Sequence, residues 1–214
     1  MLQVVLCAVC VAVLLWAERL GSRPAIAVAK LGASSCFVWA ALAWGALDSS
    51  FGIGVLTGLV LCWLGDALLV PPGQGVAFQL GIGAFLLGHV AYAISFGGLG
   101  VDFVVLGVAG VALAVGAIRL MQWLGPDVPQ DFKLPVRLYV FVISAMVGLA
   151  IAAVAAGHPL VIALGAVGFA ASDISVARDR FVAPGFINGA WGLPLYFGSQ
   201  CLMALSIPQV AAST

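Results

Sequence analysis

Leu61-Cys62-Trp63-Leu64-Gly65-Asp66-Ala67-Leu68-Leu69-Val70-Pro71, followed by Gly88-His89-Val90-Ala91-Tyr92 and Phe96, is the stretch that decides how this chain is built. It reads as two apolar helices joined by a tight Pro71-Pro72-Gly73-Gln74-Gly75 turn. Each helix carries an ionisable side chain inside an otherwise apolar run. A carboxylate or imidazole at such a place costs several kcal/mol unless it is paired, hydrated or protonated, which makes Asp66 and His89 functional candidates. The rest of the chain is then read for their partners.

Working outward, the chain stays apolar: 64% of its 214 residues are hydrophobic and 7% are charged. A water-soluble fold needs a polar exterior that this composition lacks. The fold class is therefore all-α, a polytopic membrane bundle, with residues 1–214 as one transmembrane domain. Eight Lys and Arg balance eight Asp and Glu, so no basic patch is present to bind nucleic acid. Cys7, Cys10, Cys36, Cys62 and Cys201 all fall in apolar spans and read as small hydrophobes. Cys7 and Cys10 form a C-x-x-C, but no histidine or second cysteine pair lies nearby in sequence to make a redox or metal site. The N-terminus is apolar from Leu2, without a basic leader or a small-residue cleavage site, and is expected to be a retained helix.

Membrane-crossing helices need roughly 17–25 apolar residues, and eight runs qualify. They are expected at 1–17, 24–47, 51–70, 76–96, 103–123, 138–156, 160–177 and 185–207. Pro24 suits the first turn of the second helix. Gly54-x-x-x-Gly58 in the third gives the small-residue spacing that lets helices approach closely. Pro194 interrupts the eighth and frees the carbonyl of Ala190. The longest loop, residues 125–135, is expected in water because of its prolines and charges. Arg19, Arg23, Lys133, Arg137, Arg178 and Arg180 sit in the first, fifth and seventh loops, while the second, fourth and sixth carry no Lys or Arg. By the positive-inside rule the odd loops are cytoplasmic and both termini are non-cytoplasmic. The expected location is the inner, cytoplasmic membrane of a bacterium.

At 1.5 Å per residue, Asp66 and Asp173 lie about 6 Å inside the cytoplasmic ends of their helices, and Lys30 about 9 Å. His89 and Tyr92 share one helix face deeper in the bilayer, level with Tyr196 and Gln200, which are one turn apart. Each of these residues also has an ordinary structural reading. Lys30 can snorkel to the interface, and the aspartates can cap helices or pair with loop arginines. His89, Tyr92, Tyr196 and Gln200 can be interhelical glue. Taken together they point to a polar cavity in the membrane. Two aspartates in one site cannot both ionise cheaply, so a proton is held between them while Lys30 compensates the remaining charge. The result is a general acid beside a carboxylate, the pairing that makes and stabilises an oxocarbenium-like cation. No nucleophilic triad, zinc spacing or phosphate-binding glycine loop is evident.

The ordered set Gly65-Asp66-x-x-Leu69 near Pro71, Phe85-x-x-Gly88-His89-x-x-Tyr92-x-x-x-Phe96, Gly165-Ala166 leading to Ser172-Asp173 and Arg180-Phe181, and Pro194-Leu195-Tyr196-x-x-x-Gln200 resembles the YhhN/TMEM86 family of lysoplasmalogenase-type membrane proteins. One departure is Lys30-Leu31, where the family commonly has Lys-Pro. The resemblance implies hydrolysis of the vinyl ether bond of lysoplasmalogens to a fatty aldehyde and glycerophosphoethanolamine or glycerophosphocholine. It implies a lysophospholipid partner drawn from the membrane and no metal or organic cofactor. Asp66 or Asp173 is then the acid, the other carboxylate stabilises the cation and orients water, and His89 is a reserve acid/base. Tyr92, Tyr196 and Gln200 position substrate or water, and Lys30 tunes the pair or meets the lipid phosphate. The competing expectation is a proton-coupled transporter or lipid-handling protein using the same polar cluster. Neither headgroup preference nor oligomeric state follows from the sequence.

Overall fold

The structure, a computed structural model, describes residues 1–71, 73 and 75–213. Within the expected 71–75 turn, Pro72 and Gln74 lie outside the described residues. Eight α-helices follow one another, with no strand among the described residues: α1 Leu2–Leu20, α2 Arg23–Ala43, α3 Ser50–Leu68, α4 Val76–Gly98, α5 Phe103–Leu124, α6 Gln130–Ala155, α7 Val161–Ala177 and α8 Phe186–Ser213. A π-helical turn, Arg178–Val182, extends α7.

Local chemistry sets most of the boundaries. Gly21, in the left-handed region at φ 65°, closes α1 and turns its N–H back onto the carbonyls of Ala17 and Glu18. Pro24 occupies the first turn of α2. The Ser49 hydroxyl accepts from Gly52 N–H at the start of α3, and the Asp102 carboxylate accepts from the N–H groups of Val104 and Val105 at the start of α5. Three boundaries differ most from the sequence expectation, and one of them is the end of α8, which runs past Pro208 to Ser213 rather than stopping at 207. α2 stops at Ala43 rather than 47, because Gly45 takes a positive φ of 82°. α6 begins at Gln130 and takes in much of the expected loop, Lys133 and Arg137 included. Pro135 sits inside α6 and forgoes only one backbone hydrogen bond near the helix start.

Contacts between helices close a circuit: α1 on α2, α2 on α3, α3 on α4, α4 on α6, α6 on α7, α7 on α8, and α8 back on α1. α8 also reaches α2 and α3. α5 stands outside, packed on α6 and touching the π-turn. The Gly54-x-x-x-Gly58 pair explains the α3–α4 seam. A methyl group on Gly58 would strike the Tyr92 ring, and one on Gly54 the Ser95 hydroxyl.

Seven helices, α7 with its π-turn among them, are long and apolar enough to cross a membrane. α8 has the length but not the apolarity, since Asn188, Tyr196, Ser199, Gln200 and Ser206 all lie buried along it.

Candidate active site

Asp66, two residues from the end of α3, is almost fully buried. Its Oδ2 accepts from the Tyr196 hydroxyl of α8 at 2.8 Å and from the Ser34 hydroxyl of α2 at 2.5 Å. Ser34 Oγ also lies 3.0 Å from the Lys30 carbonyl, but its one hydrogen serves the nearer carboxylate. Lys30 Nζ stands 3.9 Å from Asp66 Oδ1. Two helices, α2 and α8, thus direct two hydroxyls and an ammonium at one carboxylate. Aromatic rings wall the Tyr196 phenol: Phe37, Phe85, Phe169 and Phe197 surround it with centroids between 4.7 and 6.3 Å away.

Asp173 on α7 has different partners. Tyr139 of α6 donates to its Oδ2 at 3.3 Å, and His89 Nε2 of α4 lies 3.2 Å from the same oxygen. His89 is fully buried, stacked on Phe169 with ring centroids 4.1 Å apart. Its Nδ1 lies 2.7 Å from the Phe85 carbonyl, which can only accept, so Nδ1 carries a hydrogen. Nε2 has no hydrogen-bond partner among the described residues, and the Asp173 carboxylate is the polar group beside it.

Both aspartates line one cavity of about 610 Å³, together with Lys30, Tyr139 and Tyr196. The polar lining gathers where α1, α3, α5 and α7 end and α2, α4, α6 and α8 begin, and it includes Glu18, Asp179, Arg180 and Asn188. Beyond the aspartates the walls are apolar, made by Leu113 and Gly116 of α5, Ile143, Val147 and Ile151 of α6, and Val167 of α7. From Pro135 to Ile151 the α6 wall runs about 24 Å, against the ~15 Å of one leaflet's hydrocarbon. The shape suits a single-chain amphiphile with its head among the charges.

The structure brings together Lys30, Asp66, Asp173 and Tyr196 on this cavity and keeps three other candidates behind its wall. His89 reaches it only through Asp173. Tyr92 and Gln200 are fully buried and bonded to each other, with the Tyr92 hydroxyl donating to Gln200 Oε1 at 2.6 Å. The two carboxylates have separate partners, Ser34, Tyr196 and Lys30 for Asp66 and Tyr139 and His89 for Asp173. Two contributors escaped the sequence reading. Ser34 lies one helical turn after Lys30 on the same face, a spacing that would have found it. Tyr139 is the third of only three tyrosines in the chain, and each of the three donates to a polar side chain here.

The fold also gives the C-x-x-C new neighbours. Cys201 comes near Cys7 and Cys36 near Cys10, while the Cys7 thiol donates to the Ala33 carbonyl. All five cysteines are free thiols. Among the described residues no three His, Cys, Asp or Glu side chains gather as a metal-binding group.

Seven apolar helices around a partly charged, lipid-shaped cavity define an integral multi-pass membrane protein with a polar intramembrane site. The chain belongs to the YhhN family, which matches residues 25–207. It is also similar to two curated proteins named lysoplasmalogenase, from Mycobacterium bovis and Mycobacterium tuberculosis. Each is 33% identical over 144 residues, which cover 65% of this chain and 53% of the relative. The chain thus spans about half the length of the curated relatives it matches. No solved structure matches it.

Proposed function

We propose that this protein is a membrane hydrolase that cleaves the vinyl ether bond of lysoplasmalogens, releasing a fatty aldehyde and a glycerophospho-headgroup. Family membership and the two similar lysoplasmalogenases support the substrate class. The observation that carries the reading is the pair of separately partnered carboxylates at the polar end of a long apolar cavity.

Asp173, with His89 behind it, is the acid. It protonates the vinyl carbon β to the ether oxygen, and the electron pair of the double bond forms the new C–H bond, leaving an oxocarbenium ion. Asp66 faces that cation. Held by Tyr196 and Ser34 beside Lys30, it stabilises the positive charge and orients water onto the α carbon. Water adds, and its proton returns to the site. The hemiacetal then collapses to aldehyde as the C–O bond to glycerol breaks, so one water is consumed per aldehyde and per alcohol released. Tyr139 positions Asp173; His89 is the proton partner behind it; Tyr92 and Gln200 fix the helices that carry His89 and Tyr196. The chain is one membrane domain, with all eight helices crossing, both termini non-cytoplasmic, and the site in the cytoplasmic leaflet of a bacterial inner membrane.

Purified protein given 1-alkenyl lysophosphoethanolamine should release free fatty aldehyde. Asp173→Asn and Asp66→Asn should each lower turnover by about 10²–10⁴-fold while leaving the thermal transition in place. Folded wild-type protein that yields no aldehyde, or both variants turning over normally, would sink the assignment.

A further inference from the structure

The charges at the mouth of the cavity are not equally engaged. Asp179 accepts from Gly185 N–H and from the Asn188 amide, each at 2.9 Å, and Arg178 is bound to the Asn188 oxygen. Arg180 lies over the Phe78 ring, 4.8 Å from its centroid. Glu18 is different. It lines the cavity half-buried at the end of α1, with no hydrogen-bond donor or ion-pair contact among the described residues. Its carboxylate lies over Gly189, where a methyl group would collide with Oε2.

Glu18 lies over Gly189, while Asp66 bonds to Tyr196, about 10 Å further along α8, with Lys30 3.9 Å from Asp66. The wall therefore carries Asp66 and Lys30 at depth and Glu18 toward its mouth. A lysoplasmalogen carries its groups in the same order: vinyl ether, phosphate, amine. We propose that Glu18 and Lys30 read a zwitterionic phosphoethanolamine headgroup, Lys30 taking the phosphate and Glu18 the primary ammonium; this rests on the hydrolase reading above and names its substrate's headgroup. A primary ammonium donates hydrogen bonds to a carboxylate, whereas the trimethylammonium of choline has no N–H and needs aromatic faces instead. Two aromatic faces already carry a cation, Phe78 under Arg180 and Phe186 under Arg19. Glu18 lies on α1, ahead of the residues 25–207 matched by the family.

Non-cleavable 1-O-alkyl lysophospholipids test the assignment by binding alone, using the full chain in detergent. The wild type should bind the ethanolamine lipid about tenfold more tightly than the choline lipid, the difference one charge-assisted hydrogen bond makes. Glu18→Gln should bring the two to parity while binding the amine-free 1-O-alkyl glycerophosphate no more weakly, which also reports its folding. Equal wild-type affinities overturn the proposal even where the variant fails to fold, and so does a preference that survives Glu18→Gln. Aldehyde release plays no part in this measurement. A headgroup preference without cleavage of the alkenyl lipid would remove the hydrolase reading and leave the ethanolamine site standing.

Discussion

α5 and α8 invert the pattern expected of a water-soluble core. α5 is apolar from Phe103 to Ile118 and buries only Leu124, leaving Val104, Val108, Val111, Val115 and Ile118 uncovered. α8 is the one helix not apolar enough to be recognised as a membrane span, yet it runs through the interior and contacts α1, α2, α3 and α7. Its buried face holds Asn188, Tyr196, Ser199, Gln200 and Ser206. Lipid accepts apolar side chains as readily as a protein interior does, so hydrophobicity does not draw α5 inward. Polar side chains must leave the lipid, and they concentrate on the helix that the others enclose. In this chain polarity marks the inside, and the site is built there.

The contrast predicts where substitutions matter. The largest stability effect should come from the buried Tyr92–Gln200 link. Gln200 Nε2 has no partner, and the Tyr92 hydroxyl is what satisfies its oxygen. Tyr92→Phe would leave the whole amide unpaired and should cost about 1–2 kcal/mol in detergent unfolding. Combining it with Gln200→Leu removes both orphaned groups and should recover most of that loss. A double variant less stable than Tyr92→Phe would mean that the Gln200 amide is satisfied in the membrane after all.

Tyr196→Phe probes the same helix at the site rather than in the core. The ring keeps its aromatic cage, and Asp66 keeps Ser34 and Lys30, so only one hydroxyl is lost. Turnover should fall about tenfold, with little change in the thermal transition. Unchanged turnover would reduce Tyr196 to a packing residue and take the site off α8.

Sequence and structure part company in an instructive place. Apolar run length locates all eight helices, α8 being less apolar than the other seven, since a long apolar run is a local property of each segment. The position of Lys30, Asp66 and Asp173 along their helices is legible for the same reason. Which group touches which is not local. His89 faces Asp173 rather than solvent or Asp66 because α4, α6 and α7 converge around Phe169. Tyr139 lies near the start of a helix whose true beginning is hidden by Pro135. The π-turn at Arg178–Val182 follows from packing against α5 and from the Asn188 bridge, neither of which leaves a spacing signal. Glu18 reads in sequence as the polar end of a first helix, and only the closure of α8 onto α1 turns it toward the cavity.

The smallest effect belongs to α5, and it is the sharpest test of the comparison. Val108 and Val111 are each 68% exposed, and neither lines the cavity. Val108→Ala and Val111→Ala exchange one lipid-facing apolar side chain for a smaller one, so unfolding should shift by no more than about 0.5 kcal/mol. Gly116, on the same helix, faces the cavity. Gly116→Leu should leave stability similarly unmoved while narrowing the apolar channel, so that long-chain lysolipids lose affinity and short-chain ones do not. If Val108→Ala or Val111→Ala destabilises the protein as strongly as Tyr92→Phe does, the outer face of α5 is covered by another protein surface instead of lipid. The inversion between α5 and α8 would then describe one subunit of a larger assembly.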